Sequence, residues 1–166
     1  MILVGTEGVR ALTHGRVDAA ASLPPGSTSN HFRTRAALVA GVIEWIAVQE
    51  RADAGIPEIH SRAQLITALT RMIEAQSGPL AARTRARYAL FLEADDEAAV
   101  PLRIQRAGME QWVRSILFDL GGEAAAAHTA FLMATGDGLL LHCITVDPEA
   151  PIEAAIARAV DAALRA

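Results

Sequence analysis

Apolar residues recur at helical spacing along nearly the whole chain. Between Thr34 and Arg51, Leu38, Val42, Trp45 and Ile46 fall on one stripe, and between Ser61 and Gln76, Leu65, Leu69, Met72 and Ile73 do the same. A third predicted helix, Leu80 to Glu93, carries Tyr88, Phe91 and Leu92 on its apolar side, with Arg83, Arg85 and Arg87 elsewhere. A fourth, Arg103 to Leu120, uses Ile104, Met109, Trp112, Val113, Ile116 and Leu117. Glu123 to Ile144 and Pro151 to Leu164 complete the long helices. A period between three and four, without alternating runs, predicts an all-α fold. The breaks are Gly55-Ile56-Pro57, Ser77-Gly78-Pro79, Gly121-Gly122 and Val146-Asp147-Pro148, with Pro151 suited to a helix's first turn. Gly136-Asp137-Gly138 is a softer spot inside the fifth helix. Asp95-Asp96-Glu97 reads as a solvated loop and helix-start charge, since no His or Lys lies near it in sequence to make an acid–base pair.

The last two helices have more apolar surface than a single face requires. Ile152, Ile156, Val160 and Leu164 repeat every four residues, with Ala155, Ala159 and Ala163 beside them. The fifth is apolar nearly all round through Ala126, Ala127, Ala130, Phe131, Ala134 and Leu139 to Leu141. A helix apolar on most sides must be buried on most sides. Packing against the same two helices of a second copy, as a four-helix interface, meets that need. Enclosure in the core of one chain is the alternative.

Composition narrows the function classes. Of 166 residues, 52% are apolar but only 4% aromatic, so the core is built from Ala, Leu, Ile and Val. All fifteen basic residues are Arg, and the net charge of −4 argues against coating nucleic acid along the whole length, while leaving room for a local basic site. One cysteine, Cys143, excludes an internal disulfide and a Cys-based zinc site. The pair His142-Cys143 reads as a buried structural pair, since adjacent helical residues point about 100° apart. With no signal-like start and no run of about eighteen apolar residues, a cytoplasmic protein without a membrane span is expected. No Ser/His/Asp set, glycine-rich phosphate loop or metal-ligand spacing is present, so neither catalysis, metal nor cofactor is expected.

One stretch departs from the helical pattern: Pro24-Pro25-Gly26-Ser27-Thr28-Ser29-Asn30-His31-Phe32-Arg33-Thr34-Arg35. Ahead of it, Thr13 to Ala21 predicts a short helix with Thr13 as N-cap. Ser22-Leu23 makes a turn, Pro24-Pro25 suits a helix start, and Ser27 to Phe32 forms a second short helix anchored by Phe32. Helix, tight turn, short helix is the helix-turn-helix pattern. A helix entering the major groove needs short side chains with donors and acceptors for base edges, and Arg33 and Arg35 would grip flanking phosphates. A polar, solvated turn within a bundle fits the same residues.

The run from Gly8 to Leu38, through Thr13, Ser22-Leu23-Pro24, Gly26-Ser27-Thr28-Ser29-Asn30-His31-Phe32 and Arg35, resembles the DNA-binding signature of the tetracycline-repressor (TetR) family of bacterial regulators. The resemblance implies a helix-turn-helix head with linker helix over residues 1–50, and an effector-binding and dimerisation domain over 51–166. Thr13 would bond a phosphate, Ser27, Thr28, Ser29, Asn30 and His31 would face the DNA, and Arg35 would contact the backbone. Phe32 and Leu38 would hold the recognition helix to the next one. Ser29 stands where the family usually has Tyr, which shortens or removes a phosphate contact. Members carry a full first helix, whereas only Ile2 to Glu7 precedes Gly8, so a truncated first helix is expected, with the true start placed upstream. The implied function is a homodimeric repressor on a palindromic DNA operator, released by a small apolar effector. Leu69, Met72, Tyr88, Phe91, Met109, Trp112 and His128 are candidate effector-binding residues, with ordinary core packing as the alternative for each. A helical ligand-binding and dimerisation module that has lost DNA binding is the competing function.

Overall fold

A computed structural model describes residues 2–53, 58–94 and 97–165. Nine α-helices are found among them, and no strand. They are α1 (Ile2–Glu7), α2 (His14–Ala20), α3 (Ser27–His31), α4 (Arg35–Asp53), α5 (Arg62–Ser77), α6 (Ala81–Glu93), α7 (Val100–Ala126), α8 (Thr129–Thr145) and α9 (Ile152–Leu164), with a 3₁₀ turn at Val9–Ala11. The break at Gly55-Ile56-Pro57 and the acidic pair Asp95-Asp96 lie outside the described residues. Among the described residues no single helix is long and apolar enough to cross a membrane. The chain divides into two compact units that interleave in sequence: residues 1–55 with 81–105, and 56–80 with 106–166. Residues 81–105, expected in the effector half, therefore belong to the first unit.

The first unit is built on α4, whose buried face is Leu38, Val39, Ile43, Ile46, Ala47 and Glu50. These pack with Val4 of α1, Val9 and Leu12 around the 3₁₀ turn, Ala86 and Leu90 of α6, and Leu102. Trp45, expected on the buried stripe, is exposed instead. On α6 the buried residues are Thr84, Ala86 and Leu90, while Phe91 and Leu92 face outward, against expectation. At the opposite end of α6, α1 approaches closely. A Cβ on Gly5 would stand 2.2 Å from the carbonyl oxygen of Ala82, so the two backbones touch and only small side chains fit around them. Two ion pairs join α4 to α6, Arg83 to Asp53 at 2.6 Å and Arg87 to Glu50 at 3.6 Å.

The second unit packs α5, α8 and α9 with the remainder of α7. Ser61 caps α5 by accepting from the Gln64 amide, and Gln64 returns the contact by accepting from the His60 amide. Leu65, Ile66, Leu69 and Ile73 of α5 are buried, as are Ile156, Ala159, Val160 and Ala163 of α9. Arg62 pairs with Asp161 between these two helices. The hydrogen bond to Arg62 holds the Asp161 carboxyl below its ordinary range.

The predicted fifth helix, Glu123 to Ile144, is not one helix. Gly122 has φ +72°, a conformation available chiefly to glycine, which bends α7 there. A second break falls at Ala127-His128, where the Thr129 hydroxyl donates to the Ala126 carbonyl. Arg114 braces this elbow by donating to Glu123 (2.6 Å) and to the Ala126 carbonyl (3.3 Å). Gly136-Asp137-Gly138, by contrast, stays helical, with Asp137 held by a two-pronged pair to Arg106. Nor is α8 buried on most sides: Phe131, Ala134, Gly138 and Leu141 are exposed. Cys143 is buried and burial pushes its thiol up, but His142 is exposed, so the pair is not enclosed together.

Candidate nucleic-acid interface

With seven and five residues, α2 and α3 are far below the length at which a helix holds itself in water, about twelve residues. Side chains from α2 fix α3 at both ends. The buried Asp18 accepts from the Gly26 amide at 2.8 Å, from the Thr28 amide at 2.7 Å, and from the Thr28 hydroxyl. One turn earlier on α2, the His14 ring donates through Nε2 to the Phe32 carbonyl at 2.7 Å; a carbonyl only accepts, so that nitrogen carries the proton. An acceptor thus sits on the first amides of α3 and a donor on its last carbonyl, the sense favoured by the helix dipole. Gly26 reaches this geometry at φ +91°, where a side chain would be strained. The Thr28 hydroxyl bond first, then the Thr28 amide, hold the Asp18 carboxyl below its ordinary range.

This arrangement sorts the expected DNA-facing residues. Thr28 is buried, turned inward onto Asp18 rather than outward, because its hydroxyl completes the carboxylate's hydrogen bonding. Phe32, four residues on, also turns inward, its ring lying against Gly41 of α4; a Cβ at Gly41 would stand 2.4 Å from that ring. Ser29, Asn30 and His31 are exposed and Ser27 is half-buried. The Ser27 and Ser29 hydroxyls donate to the Pro24 and Gly26 carbonyls, leaving their lone pairs outward. Ser27, Asn30 and His31 share one helical face by their spacing.

Thr13 is extended and exposed at the N-cap position of α2, and its side chain makes no capping bond. Arg35 donates to the Val9 carbonyl at 2.9 Å, tying the start of α4 to the 3₁₀ turn. A guanidinium has five donors, so this contact leaves others for a phosphate. Arg33 is exposed beside it, while Arg16 is paired with Glu7 at 2.5 Å. The sequence reading missed Asp18 and His14. The signal was present: an acid four residues after a histidine, on the same side of α2, and eight before a glycine that opens the next helix.

The expected effector residues divide between the units. Tyr88 and Phe91 belong to the first, and Leu69, Met72, Met109, Trp112 and His128 to the second. Leu69 is buried, Phe91 is exposed, and the other five are half-buried. His128 meets Phe131 edge-to-face with ring centres 6.5 Å apart. The hollow on the second unit, about 550 Å³ and open to solvent, is lined by Glu74, Ala150, Pro151, Ile152, Glu153, Ala154 and Ala157, none of them among the seven.

A family profile described as "Tetracyclin repressor-like, C-terminal domain" matches residues 60–166. That span covers well over half the chain and begins after the helix-turn-helix segment, so the match is independent of the residues that carry the motif. Neither a curated protein nor a solved structure gives a significant match. On the profile match, the chain belongs to the tetracycline-repressor-like (TetR) family.

Proposed function

We propose that the chain is a ligand-responsive, DNA-binding transcriptional regulator, a repressor acting as a dimer on a palindromic operator. The observation that carries this reading is the outward polar face of α3, with Ser27, Asn30 and His31 on a helix pinned from behind, standing ahead of a half matched by the repressor-like profile. Short side chains let such a helix enter the major groove, where an amide and an imidazole meet base edges. Thr13, Arg33 and Arg35 flank that face and supply phosphate contacts, which give affinity and register, and Ser29 stands exposed beside it. Thr28 acts from the inside.

The dimer reading is supported by α8. Phe131, Ala134, Gly138 and Leu141 form an exposed stripe at spacings of three, four and three, apolar at its ends and small in the middle. A twofold pairing of such stripes buries apolar surface and brings two heads onto one duplex, with recognition helices roughly 34 Å apart. The effector is a small, mostly apolar molecule within the second unit, for which Leu69, Met72, Met109, Trp112 and His128 are wall candidates. Thr70 of α5, whose buried hydroxyl finds no hydrogen-bond partner among the described residues, adds a polar handle. Switching requires that the effector favour one pose of the head over another, since equal affinity for both shifts nothing.

A mobility-shift titration of the full chain on duplex DNA from its own upstream region tests the reading. The expected result is a shift at low salt that resists unrelated competitor DNA. No shift on any fragment would instead leave a helical ligand-binding and dimerisation module.

A further inference from the structure

We propose that His14 and Asp18 are positioning residues for DNA recognition: together they clasp α3 at its two ends and set the pose in which Ser27, Asn30 and His31 meet the bases. The inference rests on the DNA-binding reading and deepens it. Neither residue is among those that reach outward, and neither was singled out by the motif.

Three observations carry it. First, α3 has only five residues, so its own backbone bonds do not specify its position. Its inward anchors are Phe32, packed against Gly41, and Thr28, bonded to Asp18. Second, Asp18 is 3% exposed and uses both carboxylate oxygens, Oδ2 on the Gly26 amide and Oδ1 on the Thr28 amide and hydroxyl. Contacts to both oxygens fix the rotation of α3's first turn as well as its distance, which a single capping bond would not. Third, His14 lies one turn before Asp18 on α2 and bonds the Phe32 carbonyl. The two anchor points therefore come from one helix and span the whole of α3. Base readout depends on placing donors within a few tenths of an ångström of a base edge, whereas phosphate contacts tolerate small shifts. Loosening the clasp should therefore cost discrimination before it costs attraction to DNA.

The test uses the full chain with substitutions Asp18→Asn, Thr28→Val, Thr28→Ser and His14→Ala. Each is titrated against a labelled duplex from the chain's own upstream region and against an unrelated duplex of equal length. Asp18→Asn keeps the shape but turns an amide NH₂ toward a backbone N–H. It is expected to weaken binding to the upstream duplex at least about tenfold, the scale of a lost charge-assisted bond, with little change on the unrelated one. Thr28→Val and His14→Ala should lower the same ratio by smaller factors, and Thr28→Ser, which restores the hydroxyl, should return it to the native value. Amide exchange at Gly26 and Thr28 reports the clasp without DNA: both should be protected in the native chain and lose protection in Asp18→Asn. An Asp18→Asn chain with native discrimination overturns the proposal. So does one that loses both duplexes equally along with its helical signal, because the residue would then merely keep the head folded. A native chain that prefers neither duplex strikes the DNA-binding reading itself, a result distinct from either.

Discussion

Five residues make up α3, and apart from the Phe32 ring against Gly41 it is fixed by hydrogen bonds from one neighbouring helix, three of them to a single carboxylate. By contrast, α8 has seventeen and is fixed by burial of Leu132, Leu140, Cys143 and Ile144. Both present an outward face, polar on α3 and apolar or small on α8. The difference follows from length. Seventeen residues supply apolar surface enough to carry most of a helix's anchoring, with the Arg106–Asp137 pair beside it, while five cannot, and directional bonds must replace area. Directional bonds also specify pose more sharply than burial does. The helix proposed to read bases is the one placed by hydrogen bonds, and the helix proposed to pair with a copy of itself is the one placed by packing.

Removing packing beneath α8 should have the largest effect. Leu140→Ala leaves a cavity in the second unit and is expected to destabilise it by about 3 kcal/mol, within the usual range for buried leucines. Urea unfolding followed by circular dichroism reads that loss, and the exchange of head amides at Gly26 and Thr28 should change little below the transition. An overpacking change in the head comes next. Gly41→Ala drives a methyl into the Phe32 ring and should cost about 2 kcal/mol, a typical penalty for a core without room. Its signature is weakened DNA binding together with a lowered melting temperature, whereas Asp18→Asn should show the first with less of the second.

Acid provides a milder way to separate the two regions. The carboxyls of Asp18 and Asp161 are both held below their ordinary range in the folded chain, by Thr28 and by Arg62 respectively. Groups depressed in this sense contribute their full stabilisation above about pH 4 and lose it as pH falls through the lower folded values. Unfolding titrations between neutral and acid pH should show a fall that Asp18→Asn reduces at head amides and Asp161→Asn reduces in the second unit. The least effect on folding is expected from Phe131→Glu on the exposed stripe of α8. Stability should barely change, while light scattering should report the mass of one chain in place of two. A variant that remains dimeric would remove α8 from the proposed interface.

How much of this was legible in the sequence depended on how far each element decides its own packing. Helix α5 was, because Leu65, Leu69 and Ile73 leave one buried face to choose, and on α9 the four-residue repeat picked out the buried Ile156 and Val160. Apolar on several sides, α4 keeps Leu38 and Ile46 of the predicted stripe buried, but its neighbours select Ile43 and Ala47 in place of Trp45. On α6 size misleads: Phe91 and Leu92 are exposed, and the buried face is made by the smaller Thr84 and Ala86 with Leu90. The head's helices and turn were visible from residue types alone. Thr28 was not placed correctly, because its direction is set by Asp18, ten residues away, and a list of polar residues does not say which of them turn inward. Interleaving of the two units was hidden for the same reason, since it arises from the long-range contact of α1 with α6.

The central claim is that α3, held by α2, reads DNA as one of a symmetric pair. Hydroxyl-radical footprinting of the full chain on its own upstream duplex tests it most directly. Two equal protected patches are predicted on one face of the helix, centred one turn (roughly 34 Å) or a whole multiple of it apart, and Asp18→Asn should erase both. Uniform cleavage along the fragment at low salt, or a single unpaired patch, would contradict it.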